Sequence, residues 1–206
     1  MYKKEGGKML KIGVLGLQGS VVEHISMLQR ISEVQPIIVK TKKDIESIDA
    51  LIIPGGESTT IGKLLEDFSL IDLLATRINA GMPVWGTCAG MILLAKKISN
   101  HGKTFLNVMD IQVRRNAYGS QLDSFHTTAN IPEVSDSPIP LVFIRAPYVE
   151  KVWNDVEVLV KVNGKIVACR QKHMLATSFH PELTNDLSFH TYFIEKMVKP
   201  RISSLV

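Results

Sequence analysis

Apolar and polar residues alternate in blocks along the first hundred residues. Nearly continuous apolar runs are typical of central parallel strands covered on both faces, and they occupy residues 11–18, 36–40, 50–54 and 82–85. Between them, apolar residues recur at helical spacing, which predicts helices over residues 21–31, 61–68 and 71–80. Strands that alternate with helices through short links predict a doubly wound, mostly parallel α/β sheet with helices on both faces.

The pattern changes after about residue 107, where short strand-like segments follow one another without helices. They predict five strands, over residues 108–114, 127–131, 141–145, 156–162 and 165–170. Asn163-Gly164 predicts a hairpin turn between the last two. We therefore expect antiparallel strands added to the parallel core. One more strand, 174–179, and a final helix, 187–198, which Pro200 should end, complete the pattern.

The composition of the 206 residues fits a single domain. Hydrophobic residues make up 45% of the chain, which is enough for a sizeable core, and no repeat or linker-like tract interrupts it. The polar start of the chain predicts a disordered tail over residues 1–9. We expect one domain over residues 10–200 and a short tail over residues 201–206.

Charge and cysteine content argue against several classes of protein. The net charge of +4 comes from scattered basic residues, with only 6% aromatic residues, so nothing indicates nucleic-acid binding. No apolar run reaches the roughly 18 residues that a membrane-spanning helix requires. Two cysteines in a chain of this length are typical of a reducing compartment rather than of a secreted disulfide scaffold. We therefore expect a cytoplasmic protein that does not bind membranes.

A turn of small residues, Gly-Thr-Cys-Ala-Gly at residues 86–90, joins an apolar strand to an apolar helix that should extend to about Lys96. So tight a turn brings strand and helix together, and Gly86 and Gly90 remove the side chains that would clash. Cys88 then stands at a helix N-terminus, where N–H groups favour a thiolate, as at a nucleophile elbow. The alternative is an inert, buried cysteine, which is the commoner role of a lone cysteine in an apolar stretch.

A second candidate segment, His180-Pro181-Glu182, follows the strand predicted at residues 174–179. On an extended segment, the side chains of His180 and Glu182 would lie on the same face. The carboxylate could then hold one imidazole nitrogen and leave the other free to take a proton from Cys88. The alternative is a histidine that merely ends a strand before a proline.

A third segment, Gly55-Gly56-Glu57-Ser58, is a glycine-rich turn after a strand. A phosphate-binding P-loop is disfavoured because the sequence lacks the Gly-x-x-x-x-Gly-Lys pattern. A thiolate that attacks a carbonyl needs two N–H donors for the oxyanion, and the backbone of Gly56 and Ala89 could supply them. The alternative is a turn that merely starts a helix.

The remaining cysteine and histidines carry no partner motif. We expect the cysteine in the core and the histidines at the surface or in packing, and these residues are Cys169, His24, His101, His126, His173 and His190. No set of cysteines and histidines has zinc-binding spacing. We therefore predict no metal site and no cofactor.

Three segments together resemble the motifs of class I glutamine amidotransferases, at residues 86–90, 54–60 and 179–184. Further segments narrow the resemblance to the glutaminase subunits of pyridoxal 5'-phosphate synthase, and these are residues 15–19, 57–60, 115–119, 123–125 and 143–147. The similarity covers residues 10–199, nearly the whole chain. It implies a flavodoxin-like fold for this chain.

The resemblance also implies a reaction. Cys88 would attack the side-chain amide of L-glutamine and release ammonia, and the resulting thioester would be hydrolysed to glutamate. His180 would act first as base and then as acid, with Glu182 orienting it. A guanidinium suits the α-carboxylate of a free amino acid. The resemblance assigns glutamine binding to Gly56, Glu57, Ser58, Arg115, Ile144 and Arg145.

By the same resemblance, the ammonia passes to a separate (β/α)8-barrel synthase subunit within a large hetero-oligomer. In this family the glutaminase is weak until the partner binds and a peptide near the oxyanion hole reorients. Here that would involve the segment around Gln18 and the Gly55-Gly56 turn. One departure is Ser120, where many relatives have arginine. We expect that position to affect partner contact or packing and not the chemistry.

Three other functions compete with this interpretation. An amidotransferase of another pathway is disfavoured by the segments at residues 115–119 and 144–147. A catalytically silent binding domain would be expected to lack the nucleophile or the base, whereas Cys88, His180 and Glu182 are all present. A cysteine peptidase of similar fold would not normally carry His-Pro-Glu.

Overall fold

The structure is a computed structural model that describes residues 9–99, 102–115 and 124–204. The first eight residues of the predicted N-terminal tail lie outside these ranges. So do His101, Ser120 and residues 116–119 of the segment that narrows the family resemblance.

In the described residues, twelve strands form two sheets. In chain order they are β1 (Leu10–Leu15), β2 (Val34–Val39), β3 (Ala50–Ile53), β4 (Val84–Thr87), β5 (Ala95–Ile98), β6 (Met109–Arg114), β7 (Phe125–Ile131), β8 (Ser135–Phe143), β9 (Tyr148–Val152), β10 (Glu157–Val162), β11 (Lys165–Gln171) and β12 (Met174–Thr177). Ten of them belong to one large sheet, while β7 and β8 form a separate antiparallel pair.

Seven α-helices accompany the strands in the same part of the chain. They are α1 (Val21–Gln29), α2 (Lys42–Ser47), α3 (Ser58–Asp67), α4 (Ile71–Asn79), α5 (Ala89–Leu94), α6 (Ser188–Tyr192) and α7 (Lys199–Ser203). A single 3₁₀ turn covers Pro181–Leu183, and a π-helical segment, Phe193–Val198, joins α6 to α7. None of the described helices combines the length and the apolar character needed to cross a membrane.

The large sheet has the order β2-β1-β3-β4-β12-β11-β9-β6-β5, and β10 pairs with β11. Its first five strands run parallel to one another. β11 runs antiparallel to β12, β9 and β10. This arrangement confirms the predicted doubly wound, mostly parallel sheet with added antiparallel strands, except that the strands predicted at residues 127–131 and 141–145 belong to the separate β7–β8 pair.

Two apolar clusters cover the two faces of the sheet. One packs α2 to α5 against the sheet and includes Leu65 and Leu15, while the other packs α1 and the C-terminal helices and includes Leu28 and Phe193. Val14 belongs to the second cluster although it precedes Leu15, because successive strand residues point to opposite faces. The near-continuous apolar character of β1 thus follows from burial on both sides.

Four helices and strands were missed by the sequence pattern: α2, β5, β9 and α7. In α2 only Ile45 is buried, and the helix is set by a capping box between Thr41 and Asp44. The prediction that α5 extends to about Lys96 is wrong, because Ala95 is extended and begins β5, which pairs with β6. An unbroken apolar run does not by itself say where a buried helix becomes a buried strand.

The prediction that Pro200 ends the last helix is also wrong. Pro200 lies in the first turn of α7, where its missing N–H group is not needed. Beyond it, within the predicted C-terminal tail, Arg201 donates hydrogen bonds to the carbonyl oxygens of Ala80 and Gly81 at 2.8 and 3.1 Å. The domain bounds of residues 10–200 stay a prediction.

Candidate active site

Cys88 lies at the tip of a sharp turn between β4 and α5. Its φ of 48° and ψ of −104° form a strained backbone conformation of the kind that clusters at functional sites. A Cβ atom on Gly86 would lie 2.4 Å from the carbonyl carbon of Gly90, and one on Gly90 would lie 2.1 Å from the carbonyl oxygen of Ile53. Both flanking glycines are therefore required, as the sequence analysis argued for a nucleophile elbow.

Neighbouring strands deliver Cys88 and His180 to the same place. β4 and β12 pair in parallel with Thr87 opposite Thr177, and the Cys88 N–H donates to the Thr177 carbonyl at 2.8 Å. Gly55 lies against both candidate residues. A Cβ atom on it would be 3.3 Å from Cβ of Cys88 and 2.3 Å from Cε1 of His180. The fold thus gathers two residues that are far apart in the sequence.

His180 and Glu182 form a buried pair. Nδ1 of His180 lies 2.7 Å from Oε1 of Glu182, and both residues are less than 10% exposed. Glu182 lies in the 3₁₀ turn Pro181–Leu183 that follows His180, so the prediction of an extended segment through both residues is wrong, although the two side chains still meet. Because an ionised carboxylate can only accept, Nδ1 carries the proton, which leaves Nε2 of His180 for proton exchange with Cys88.

The charges of this pair are strongly stabilised. Burial lowers the pKa of His180, but its hydrogen bonds with Cys88 and Glu182 outweigh burial and raise that pKa to about 10. Burial raises the pKa of Glu182, yet the electrostatic effect of the neighbouring His24 and the hydrogen bonds from His180 and Ser20 lower that pKa to about 2. The site is therefore built to hold an imidazolium beside an ionised carboxylate.

Two residues missed by the sequence analysis complete the surroundings of Glu182. The Ser20 hydroxyl donates to Oε1 at 2.6 Å instead of capping α1, and Nε2 of His24 lies 3.4 Å from Oε2. His24 was expected at the surface or in packing, but it is fully buried beside the site. The available signal was their spacing, since residues four apart share one face of a helix.

A cavity of about 230 Å³ opens beside Cys88. It is smaller than the roughly 300–1,000 Å³ typical of sites for drug-sized ligands, which suits a small substrate. Its lining includes every residue predicted to bind glutamine or the oxyanion, namely Gly56, Glu57, Ser58, Ala89, Arg115, Ile144 and Arg145. His180 lines the same cavity.

The loop after β8 approaches the nucleophile through its backbone. The carbonyl oxygen of Ile144 lies 4.0 Å from Sγ of Cys88, and Arg145 has a φ of 44°, which is rare for a residue other than glycine. This unusual backbone conformation, like that of Cys88, marks the edge of the cavity. It places two of the predicted glutamine-binding residues next to the sulfur.

The loop between β1 and α1 holds the glycine turn. The side-chain oxygen of Gln18 accepts from the Glu57 N–H at 2.8 Å, and the Ser20 N–H donates to the Gly55 carbonyl at 3.0 Å. A Cβ atom on Gly56 would lie 2.4 Å from the Gln18 oxygen, so only glycine fits there without movement. The predicted oxyanion turn is thus connected directly to the segment around Gln18.

The second cysteine has the properties of a core residue. Cys169 is fully buried, as expected, and burial raises the pKa of its thiol to about 12. An inert thiol of this kind contrasts with the strained, cavity-lining Cys88. Among residues 9–99, 102–115 and 124–204, no group of three or more His, Cys, Asp or Glu side chains is arranged to hold a metal ion.

Comparisons with known proteins identify the family of this chain. The sequence profile of the SNO glutamine amidotransferase family matches residues 14–199. The pyridoxal 5'-phosphate synthase subunit PdxT of Ruminiclostridium cellulolyticum is 63% identical over 91% of this chain and 99% of that protein. A protein of the same name from Clostridium botulinum is 54% identical over 93% of this chain and 99% of its own length.

A solved structure gives the same answer for the fold. A crystal structure of a glutamine amidotransferase matches with a TM-score of 0.82 at 42% identity, covering 89% of this chain and 97% of that one. The family profile and the relatives each span most of the chain. The chain therefore belongs to the SNO glutamine amidotransferase family.

Proposed function

We propose that this chain is the glutaminase subunit of a pyridoxal 5'-phosphate synthase, in which it hydrolyses L-glutamine and supplies ammonia for vitamin B6 synthesis. The observation that carries the proposal is the buried pair of His180 and Glu182 beside the strained Cys88, at a cavity lined by two arginines. The high identity to subunits named PdxT supports the pathway.

The first half-reaction forms a thioester. The Cys88 thiolate attacks the side-chain amide carbon of glutamine, and the negative charge moves to the amide oxygen. The N–H groups of Gly56 and Ala89 stabilise this oxyanion. The C–N bond then breaks as Nε2 of His180 gives its proton to the departing nitrogen, which leaves as ammonia.

The second half-reaction restores the enzyme. His180, now neutral, takes a proton from a water molecule, whose oxygen attacks the thioester carbon. The C–S bond breaks, glutamate leaves, and the thiolate is again paired with the imidazolium. Glu182 remains ionised throughout and keeps the ring oriented, as the carboxylate of a catalytic triad does. Neither half-reaction requires a cofactor.

Substrate recognition is assigned to the two sides of the cavity. Arg115 and Arg145 are suited to the α-carboxylate of glutamine, because a guanidinium binds a carboxylate through two hydrogen bonds. Glu57 and Ser58, at the start of α3, supply acceptors for its ammonium group, and Ile144 contributes an apolar wall. A substrate without a free α-carboxylate would lose this binding energy, which disfavours a peptidase.

The partner in this proposal is a separate (β/α)8-barrel synthase subunit within a hetero-oligomer. The contact of Gln18 with Glu57 ties the predicted oxyanion turn to the β1–α1 loop, so a partner that moves this loop would change the turn. We also propose a cytoplasmic location, which two free cysteines favour. Nucleic-acid binding has no part in the proposal.

Glutaminase assays with and without a purified barrel synthase subunit test the pathway. We expect the rate of glutamate formation to rise strongly when that subunit is added. We also expect the nitrogen of the released ammonia to be incorporated into pyridoxal 5'-phosphate. Stimulation instead by the synthase of a histidine or nucleotide pathway would contradict the proposal and favour an amidotransferase of that pathway.

A pair of cysteine variants tests the mechanism. Cys88→Ala should abolish glutamine hydrolysis while it leaves synthase binding largely intact, as measured by analytical ultracentrifugation. Cys169→Ala is the matched control, since it removes the other thiol from the core, and it should keep its activity with only a modest loss of stability. Turnover by a clean Cys88→Ala preparation would reject Cys88 as the nucleophile.

A further inference from the structure

A pair of fully buried histidines lies behind the proposed triad. Nδ1 of His24, on α1, lies 3.0 Å from Nε2 of His190, on α6, and both side chains have no exposed surface. Trp85 packs edge-on against the two imidazole rings, with centroid distances of 5.8 and 4.9 Å. A polar pair in such apolar surroundings is costly unless its hydrogen bonds are used.

The other end of His24 faces the site. Nε2 of His24 lies 3.4 Å from Oε2 of Glu182 and 3.2 Å from Oγ1 of Thr87, the residue before the nucleophile. Within the described residues, Oε2 is buried and has no hydrogen-bond partner, whereas Oε1 already accepts from His180 and Ser20. Oε2 therefore needs a donor, and His24 is placed to be that donor.

The contacts select one arrangement of protons. If Nε2 of His24 carries the hydrogen, that hydrogen lies between two acceptors, Oγ1 of Thr87 at 3.2 Å and Oε2 of Glu182 at 3.4 Å, and Nδ1 accepts from the Nε2–H of His190. In the opposite arrangement, a nitrogen lone pair would face the carboxylate, and the hydrogen on Nδ1 of His190 would be buried where it meets no partner among the described residues. The first arrangement satisfies more of the buried groups.

We propose that His24 is a positioning residue that, as a neutral ring held in its Nε2–H form by His190, donates to Glu182 and fixes the carboxylate that orients His180. This inference rests on the proposed glutaminase function. It adds His24, on α1, and His190, on α6, to the series of interacting residues Cys88, His180 and Glu182. His24 is not among the residues that line the cavity. In this proposal it does not contact the substrate.

The electrostatic environment agrees with neutral rings. Burial lowers the pKa of His24, with Glu182 acting in the opposite direction and His180 adding to the lowering. Burial also lowers the pKa of His190 well below its usual value. Both rings are therefore uncharged near neutral pH, and an N–H dipole, not a full charge, faces the carboxylate.

¹⁵N NMR of the full chain, labelled with ¹⁵N-histidine, shows which ring nitrogens carry a hydrogen and so tests the proposed proton arrangement without any activity measurement. We expect His24 to appear as a neutral ring with its hydrogen on Nε2, and we would assign its signals by their disappearance in His24→Gln. A hydrogen on Nδ1 of His24, or a doubly protonated ring near pH 7.5, would overturn the proposal. Because the readout is structural, it can fail while the glutaminase function stands.

Two substitutions then test the effect on turnover, with the synthase subunit present. His24→Gln places an amide N–H near the position of Nε2, whereas His24→Leu fills the space without a donor. We expect His24→Leu to lower kcat roughly tenfold or more with little change in KM, and His24→Gln to recover most of that loss. Equal kcat losses in two folded variants, or a loss confined to KM, would contradict a donor role.

If His24→Leu does not fold, the comparison of His24→Gln with the wild type remains decisive through the pKa of His180, measured by the same NMR titration. A Gln donor to Glu182 should keep that pKa close to the wild-type value. A large fall in the pKa of His180 in folded His24→Gln would show that the amide does not replace the ring and would count against the proposal.

Discussion

At the scale of single residues, the candidate triad was predictable and its support was not. Cys88, His180 and Glu182 each sit in a short motif whose chemistry can be argued from adjacent residues. Ser20 and His24 act on Glu182 across most of the chain length, so no local pattern assigns them to it. Their approach depends on where α1 packs, which is decided by tertiary contacts.

The ion pair of His180 and Glu182 predicts a pH window for stability. The pKa of Glu182 falls from 4.5 to about 2, so its contribution is present above pH 4.5 and is lost as the pH falls through about 2. The pKa of His180 rises from 6.5 to about 10, so its contribution is present below pH 6.5 and is lost as the pH rises through about 10. The stabilisation should therefore be greatest between these usual values.

Urea unfolding of the wild type and Glu182→Gln checks this window. We expect the wild type to be more stable by about 2 kcal/mol near pH 5.5, the scale of a hydrogen bond to a charged group. The difference should shrink on going to about pH 3 and to about pH 10. A difference that stays constant across this range would contradict the assigned ion pair.

At the scale of elements, the turn between β4 and α5 was predictable because its glycines are required by backbone contacts. Gly86 meets the backbone of Gly90, and Gly90 meets that of Ile53. The end of α5 was not predictable, since Leu94 and Ala95 continue one apolar run while the backbone changes from helix to strand. Pairing with β6, a distant segment, decides that boundary.

Gly86→Ala should damage the nucleophile turn. The added methyl group would lie 2.4 Å from backbone that cannot swing away, so strand and helix must separate. We expect a stability loss of about 2 kcal/mol, as for an overpacked core, and a fall of roughly 100-fold in kcat from displacement of Cys88. Chemical unfolding and a glutaminase assay measure the two effects.

Gly102→Ala is the matched control for this substitution. A Cβ atom there would meet nothing within 4 Å, so the stability should change by less than about 0.5 kcal/mol. Similar activity in Gly86→Ala and Gly102→Ala proteins would mean that the elbow does not depend on the close approach of its two arms.

At the scale of the whole molecule, the parallel half of the sheet follows from the alternation of strands and helices. The order of the remaining strands does not, because β6 pairs with β9 and β9 with β11, both out of chain order and antiparallel. The hydrophobic pattern also failed to predict the C-terminal helix, α7. Arg201, on α7, donates hydrogen bonds to the carbonyl oxygens of Ala80 and Gly81, and so connects the last helix to the segment between α4 and β4.

Arg201→Ala should loosen that tie without affecting catalysis. Two hydrogen bonds to helix-end carbonyls would be lost at a partly exposed site, so we expect a loss of about 1 kcal/mol in the free energy of unfolding. Turnover of glutamine should match the wild type. Lys196→Ala, an exposed cation of the same C-terminal region, is the control and should change stability by less than about 0.5 kcal/mol. Equal effects of the two substitutions would argue that Arg201 acts only as a surface charge.

β4 and β12 touch along their length, yet everything from α5 to β11 is inserted between them in the chain. Cys88 and His180 follow the two touching strands, whereas Arg115 and Arg145 belong to the insertion. The proposed nucleophile and base thus follow the two paired strands, while the two proposed arginine ligands of glutamine come from the insertion. Redesign of the loops after β6 and β8 should therefore change which small amides the protein accepts. The spacing between the Cys88 sulfur and the His180 imidazole should not change, because two adjacent strands set it.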